Sequence, residues 1–204
     1  MTREELLDSL RRRRLDPAVL AAVAEVPREA FLPAGLRERA WDDKALPIAA
    51  GQTISQPSLV AHMVELLELR PTDWVLDVGT GSGYHAAMLA RLAAHVFSIE
   101  RHAELSAAAA RALAATGAAN VTLRVGDGTL GWPEEAPFDA VSVAAAGEAG
   151  VPGALLDQLA DGGRLLAPVR DVDDERLILM RRNGRRISAT EHGAVRFVPL
   201  VVGR

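Results

Sequence analysis

The sequence predicts an α/β protein, doubly wound around a mostly parallel sheet, with antiparallel strands near its C-terminus and a helical extension ahead of the sheet. Three observations carry this. From residue 57 to about residue 170, short apolar runs rich in β-formers alternate with helical patterns. That alternation means parallel strands with helices on both faces. The first such run closes in Asp77-Val-Gly79-Thr-Gly81-Ser-Gly83, and a glycine-rich turn after a strand lets backbone approach a ligand closely. The alternation then stops, and ERLILMRR leads into Asn183-Gly184, the strongest short signal for a hairpin.

The elements follow in order. Thr2 and Glu5 have capping-box spacing ahead of a helix carrying Leu6, Leu7 and Leu10. The arginines from Arg11 to Arg14 read as a solvated helix end, where the dipole favours cations. Asp16 and Pro17 start a second helix as N-cap and N1. Pro27, Pro33 and Pro47 punctuate an irregular stretch, so residues 1–56 form the extension. Residues 57–170 form the alternating core: a helix in PSLVAHMVELLEL, strands at 74–78, 95–100, 121–125, 138–144 and 163–169, and helices in YHAAMLARLAA, in ELSAAAARALAAT up to Gly117, and from Pro152 to about Leu159. Residues 171–204 form the antiparallel part, with ERLILMRR and two further strand-like runs ending in VRFVPLVV.

With 204 residues, the chain suffices for one domain with a full core. It is 49% hydrophobic and 25% charged, with net charge −4 and a sequence pI of 5.8. That balance disfavours a general nucleic-acid binder. The absence of cysteine removes disulfides, thiol nucleophiles and Cys-based metal sites. No apolar run reaches the roughly 20 residues that span a membrane, and MTREELLDSLRRRR lacks an apolar signal core. A cytoplasmic protein is expected. His62, His85, His95, His102 and His192 share no metal-ligand spacing, so no metal is expected.

Ligand chemistry comes from three strand ends. Gly81-Ser-Gly83-Tyr-His-Ala86 also satisfies the dinucleotide pattern G-x-G-x-x-G/A, so a nicotinamide cofactor stays open at this point. Glu100 ends the second strand, where an acid can accept both ribose hydroxyls. Asp127, between Gly126 and Gly128 at the third strand end, makes a turn or receives an adenine amino group. Suitable groups on three successive strand ends point to a nucleoside pocket. Ahead of the core, GQTISQP (residues 51–57) offers Gln52, Thr53, Ser55 and Gln56 where a helix cap needs one polar residue.

The sequence resembles the protein-L-isoaspartate (D-aspartate) O-methyltransferase family. VPREAF (26–31), LPIAAGQTISQP (46–57), VLDVGTGSGYHAAMLA (75–90), SIER (98–101), VGDGTLGW (125–132), APFDAV (136–141) and VRFVPL (195–200) carry the resemblance, in family order and over nearly the whole chain. The resemblance implies a single Rossmann-like methyltransferase domain over residues 1–204, S-adenosylmethionine as cofactor and S-adenosylhomocysteine as product. The implied acceptor is the free carboxylate of L-isoaspartyl residues in peptides or proteins, methylated by a monomer as the first step of repair through a succinimide. It places Asp77, Gly79, Thr80, Gly81, Glu100 and Arg101 around the cofactor and Asp127 and Gly128 at its adenine end. Thr53 and Ile54 fall beside the methionine portion, Ser55 at the catalytic position, and Val198 where backbone pairs with the substrate peptide.

A carboxylate is ionised at neutral pH and needs no general base, so the chemistry asks mainly for alignment. Ser55 can orient an anion without neutralising it. The helix starting near Pro57 adds unpaired N–H groups and a positive dipole end. Alternatively Ser55 only caps that helix, and the two roles are compatible. Two departures from the family pattern stand out. Ala144-Ala-Ala-Gly147-Glu148-Ala-Gly150-Val-Pro152 replaces TAAAP, and His85 stands where Gln is common. They leave open a relative that methylates an aspartate in one dedicated peptide.

Overall fold

A computed structural model describes residues 1–148, 150–170 and 174–203. The chain opens with α1 (Arg3–Arg12), whose capping box is complete: the Thr2 hydroxyl accepts from the Glu5 N–H at 3.2 Å, and the Glu5 carboxylate accepts from the Thr2 N–H at 2.8 Å. Asp16 caps α2 (Pro17–Glu25) through the Ala18 N–H. Two 3₁₀ turns follow, and then a feature the proline-punctuated sequence did not signal. β1 (Leu46–Pro47) pairs antiparallel with β2 (Thr53–Ile54), in a two-residue ribbon that fixes the polar GQTISQP segment.

The core then runs through α3 (Pro57–Leu66), β3 (Trp74–Val78), α4 (Tyr84–Ala90), β4 (His95–Glu100), α5 (Ala103–Ala115), β5 (Val121–Val125), β6 (Phe138–Val143), α6 (Gly153–Asp157), β7 (Leu159–Arg170), β8 (Glu175–Asn183) and β9 (Arg186–Ala194). The expected strands at 74–78, 95–100 and 121–125 have those bounds. The helix in PSLVAHMVELLEL ends early at Leu66, because Glu68 adopts a left-handed conformation (φ 46°). The helix after Pro152 is only five residues long, and β7 begins at Leu159 rather than at Gly163.

The seven-stranded sheet has the order β5-β4-β3-β6-β7-β8-β9, parallel from β5 to β7 and antiparallel from β7 to β9. From β3 the chain winds outward to β5 and then returns to the other side of β3. The carboxyl ends of β3, β4 and β6 therefore flank the switch point, where open α/β sheets bind ligands. Leu6, Leu7 and Leu10 of the extension share one buried cluster with Met63, Tyr84, Leu89 and Val96.

The terminal VRFVPLVV run is not the ladder strand that its composition suggested. After β9 it leaves the sheet edge and makes a single parallel bridge, Ala146 to Pro199. Pro199 has no N–H to donate to a ladder, and the segment instead crosses the carboxyl ends of the strands. The Ala146 N–H donates to the Val198 carbonyl at 2.8 Å and the Leu200 N–H to the Ala146 carbonyl at 2.7 Å. Ala149 of the altered loop, and residues 171–173 at the expected start of the antiparallel part, lie outside the described residues.

Candidate active site

A cavity of about 420 Å³ opens at the switch point, within the size range of small-molecule and cofactor pockets. Its floor is Val78, Ile99 and the Gly79–Ser82 loop; its walls are Gln52 to Ser55, Glu100 to His102, Ala144 and Ala145, and its cover is Val198 to Val201. Of the residues singled out from the sequence, Thr53, Ile54, Ser55, Gly79, Thr80, Gly81, Glu100, Arg101, Gly128 and Val198 line this one space. Asp77 and Asp127 do not.

The glycines are dictated locally. Gly79 sits at φ 96° and its N–H donates to the Ile99 carbonyl at 2.8 Å, so the loop turns sharply while staying tied to β4. At Gly128 the requirement is space: a Cβ there would lie 2.5 Å from Cγ1 of Val78. The Glu100 carboxylate, 5% exposed, accepts from the Gly81 N–H at 2.8 Å and the His102 N–H at 2.9 Å. It is thereby locked in place, and each oxygen keeps a lone pair for a further donor.

Asp127 serves the turn and the tail. One of its oxygens accepts from the Thr129 N–H and hydroxyl, the other from the Gly203 N–H at 2.7 Å. Burial alone would raise its pKa, but these hydrogen bonds and the charge of Arg101 hold it below the usual carboxylate range. Val198 lines the cavity while its carbonyl is committed to the Ala146 N–H.

Two expectations about the Ser55 segment are corrected. Ser55 does not cap α3, since the N-cap position is Gln56, without a side-chain cap. The first turn of α3 is also not an open anion site: the Ser58 N–H donates to the Asp43 carboxylate at 3.0 Å, and Pro57 has no N–H. Among the described residues the Ser55 hydroxyl has no hydrogen-bond partner, and it faces the cavity.

Beneath the floor lies a polar chain. Asp77 is fully buried, and its Oδ2 accepts from the Ser98 hydroxyl at 2.7 Å. Because Ser98 spends its proton there, the Thr80 hydroxyl, 2.6 Å away, donates to Ser98. Asp77 Oδ1 has no hydrogen-bond partner. Ser98, Ser142, His85 and Tyr84 were not singled out from the sequence as site residues. The first two carry a readable signal, a serine flanked by apolar residues within a strand (VFSI, AVSV). Tyr84 looked like an ordinary first-turn helix residue, and His85 stood out only as a departure from the family pattern, with no role assigned.

A parallel sheet with a glycine turn, a ribose-type acid and a cavity at the switch point defines the class of Rossmann-like proteins built for a nucleoside cofactor. The sequence model described as protein-L-isoaspartate(D-aspartate) O-methyltransferase matches residues 1–204. The chain is 55% identical over 189 residues to a protein-L-isoaspartate O-methyltransferase of Methylorubrum populi, covering 92% of this chain and 88% of that one. It is 48% identical over 204 residues to one of Aliivibrio fischeri, covering 99% and 97%. A solved protein-L-isoaspartate O-methyltransferase superposes with TM-score 0.88 at 29% identity, over 97% of this chain and 65% of that chain. A second, from Plasmodium falciparum in complex with S-adenosyl-L-homocysteine, gives TM-score 0.85 at 24% identity over 100% of both, a likeness of fold. The chain belongs to the protein-L-isoaspartate(D-aspartate) O-methyltransferase family, whose activity is S-adenosylmethionine-dependent methyl transfer to isoaspartyl residues. The nicotinamide reading is set aside by that membership.

Proposed function

We propose that this cavity methylates the free carboxylate of L-isoaspartyl residues, with Ser55 orienting the acceptor. The observation that carries the reading is the Ser55 hydroxyl: it faces the cavity, caps nothing and has no partner among the described residues. When bound, S-adenosylmethionine supplies an electrophilic methyl group on a sulfonium sulfur. The fixed Glu100 carboxylate holds the ribose hydroxyls, Gly79 to Gly81 and Arg101 bring backbone and charge to the same ligand, and Thr53 and Ile54 flank its methionine portion. Gly128, kept small by Val78, leaves room at the adenine end, and Asp127 sets the turn beside it. Asp77 lies below with an unpaired oxygen, as suits a ligand that carries positive charge.

The acceptor is already ionised, so the chain provides no base; it holds oxygen and methyl in line. The tail around Val198 supports recognition of backbone, which separates an isoaspartyl carboxylate from an aspartyl one by its place along the chain. The neighbouring backbone nitrogen then attacks the ester carbonyl and expels methanol, closing a succinimide that water reopens partly to aspartate. In this reading residues 1–204 act as one methyltransferase domain, supported by the buried cluster that joins the extension to the sheet. In this reading the enzyme acts as a monomer in the cytoplasm; among the described residues no helix is long and apolar enough to cross a membrane. The test is transfer of labelled methyl from S-adenosylmethionine to matched isoaspartyl and aspartyl peptides. Turnover of the isoaspartyl peptide alone is expected; equal turnover of both rejects repair, and turnover of one aspartyl sequence alone points to a dedicated substrate.

A further inference from the structure

We infer that His85 is a positioning residue for the cationic cofactor: it shares one proton with Asp77, and so sets whether the cavity floor meets the ligand with a negative charge or as a neutral pair. The inference rests on the cofactor reading above. His85, 8% exposed, lines the cavity on the first turn of α4. Its Nδ1 lies 3.9 Å from Asp77 Oδ1, the oxygen without a hydrogen-bond partner, and its Nε2 lies 3.4 Å from the Ser142 hydroxyl. A fully buried carboxylate oxygen without a partner calls for an explanation, and the imidazole facing it supplies one.

Burial pushes the Asp77 carboxyl up, while His85 and the Ser98 hydrogen bond hold it down and Glu100 adds to the rise. Burial pushes the His85 imidazole down, and Asp77 opposes that. Across 3.9 Å, with that oxygen otherwise unpartnered, the two titrate on this inference as one unit that takes up a single proton. The other groups around them are few. Glu100 faces from β4, followed on the cavity wall by Arg101 and His102. Tyr84, on the same helix turn, is pushed up to about 12 by burial and stays neutral. Ser142 of β6, the Thr53–Ser55 segment and the Val198–Val201 cover bring no titratable side chain.

The sign follows. S-adenosylmethionine carries a net charge of about +1 when its carboxylate is ionised and its amine protonated. Above the pH at which the pair takes up its proton, the floor is negative and attracts the ligand; below that pH the pair is neutral and the attraction is lost. A pair binds its first proton more tightly than either member alone. Removing His85 therefore moves the acid limb of cofactor affinity to lower pH.

The experiment is calorimetric titration of S-adenosylmethionine into wild type and His85→Gln from about pH 5 to about 8.5, with NMR of the His85 imidazole in free and bound wild type. Wild-type affinity should fall at least about fivefold across its acid limb, and by reciprocity the bound His85 should titrate about 0.7 pH units lower than the free. In His85→Gln the acid limb should lie lower. The same acid limb in both proteins, or the same His85 titration with and without ligand, overturns the inference. The NMR arm uses the native chain, so a poorly folding variant does not blunt the test. Wild type that binds no S-adenosylmethionine at any pH overturns the cofactor reading, and this inference with it.

Discussion

At the amino ends of the parallel strands, Arg164 donates from all three guanidinium nitrogens: to the carbonyls of Leu67 at 2.8 Å, Glu68 at 3.1 Å and Asp139 at 3.2 Å, and to the Asp73 carboxylate at 2.5 Å. Both charged residues are buried. At the carboxyl ends of the same strands, Asp77 is as deeply buried, yet one of its oxygens lacks a partner, and Ser55 holds an uncommitted hydroxyl above it. Both ends carry buried charge, and they differ in satisfaction. A closed network is an anchor; an open one is held ready for something that arrives later. Between these two ends of the strands, unmet hydrogen-bonding capacity rather than polarity separates the site from the anchor.

Substitutions at four positions test that contrast. The largest effect is expected from Asp73→Ala, which strands Arg164 in the interior and should cost about 3–5 kcal/mol of stability in urea unfolding. Cofactor affinity of the protein that remains folded should hold; its loss would erase the division between the two ends. Next, Ser55→Ala should slow single-turnover methyl transfer about 100-fold, the scale of a small misplacement in an alignment-driven reaction. Because Ser55 caps nothing, its melting curve should stay within about 0.5 kcal/mol of wild type. A normal rate with lowered stability would make it an anchor instead. Ser55→Thr keeps the hydroxyl but adds a methyl group at the acceptor's approach, and should also be slow. Third, Glu100→Ala should weaken S-adenosylmethionine binding by about 1.5–3 kcal/mol, read by calorimetry on folded protein; unchanged affinity would remove Glu100 from the cradle. The smallest effect belongs to Thr2→Ala, about 1 kcal/mol of stability from a lost cap, with methyl transfer unaltered.

How much of this was legible in the sequence depends on whether the determinant is local. The alternation of β-rich and helical runs named the parallel sheet, and Asn183-Gly184 named the β8–β9 turn, because periodicity and turn chemistry act within a few residues. That Gly79 to Gly81 and Glu100 would border one cavity was legible for the same reason, as strand ends gather at one edge. The β1–β2 ribbon was not: two residues per strand leave no period to read. Nor was the replacement of a Ser55 cap by Asp43, which comes from fifteen residues before Ser58 and meets it only after folding. The same holds for His85, whose meaning depends on Asp77 of a preceding strand and Ser142 of a later one.

The two lateral borders of the sheet matter for an enzyme whose acceptors are extended segments of other polypeptides. Any unpaired strand invites such a segment to add itself by backbone hydrogen bonding. β5 is five residues long and carries Arg124. β9, exposed along most of its length, carries Arg186 and Glu191 and is out of step with β8 between Arg176 and Ile178. Short, charged and irregular borders of this kind discourage strand addition. The result is a form of triage: a loose polypeptide finds little purchase on the flanks, and the cavity mouth beside the crossing segment at Val198 is where the proposed reading has its backbone recognised.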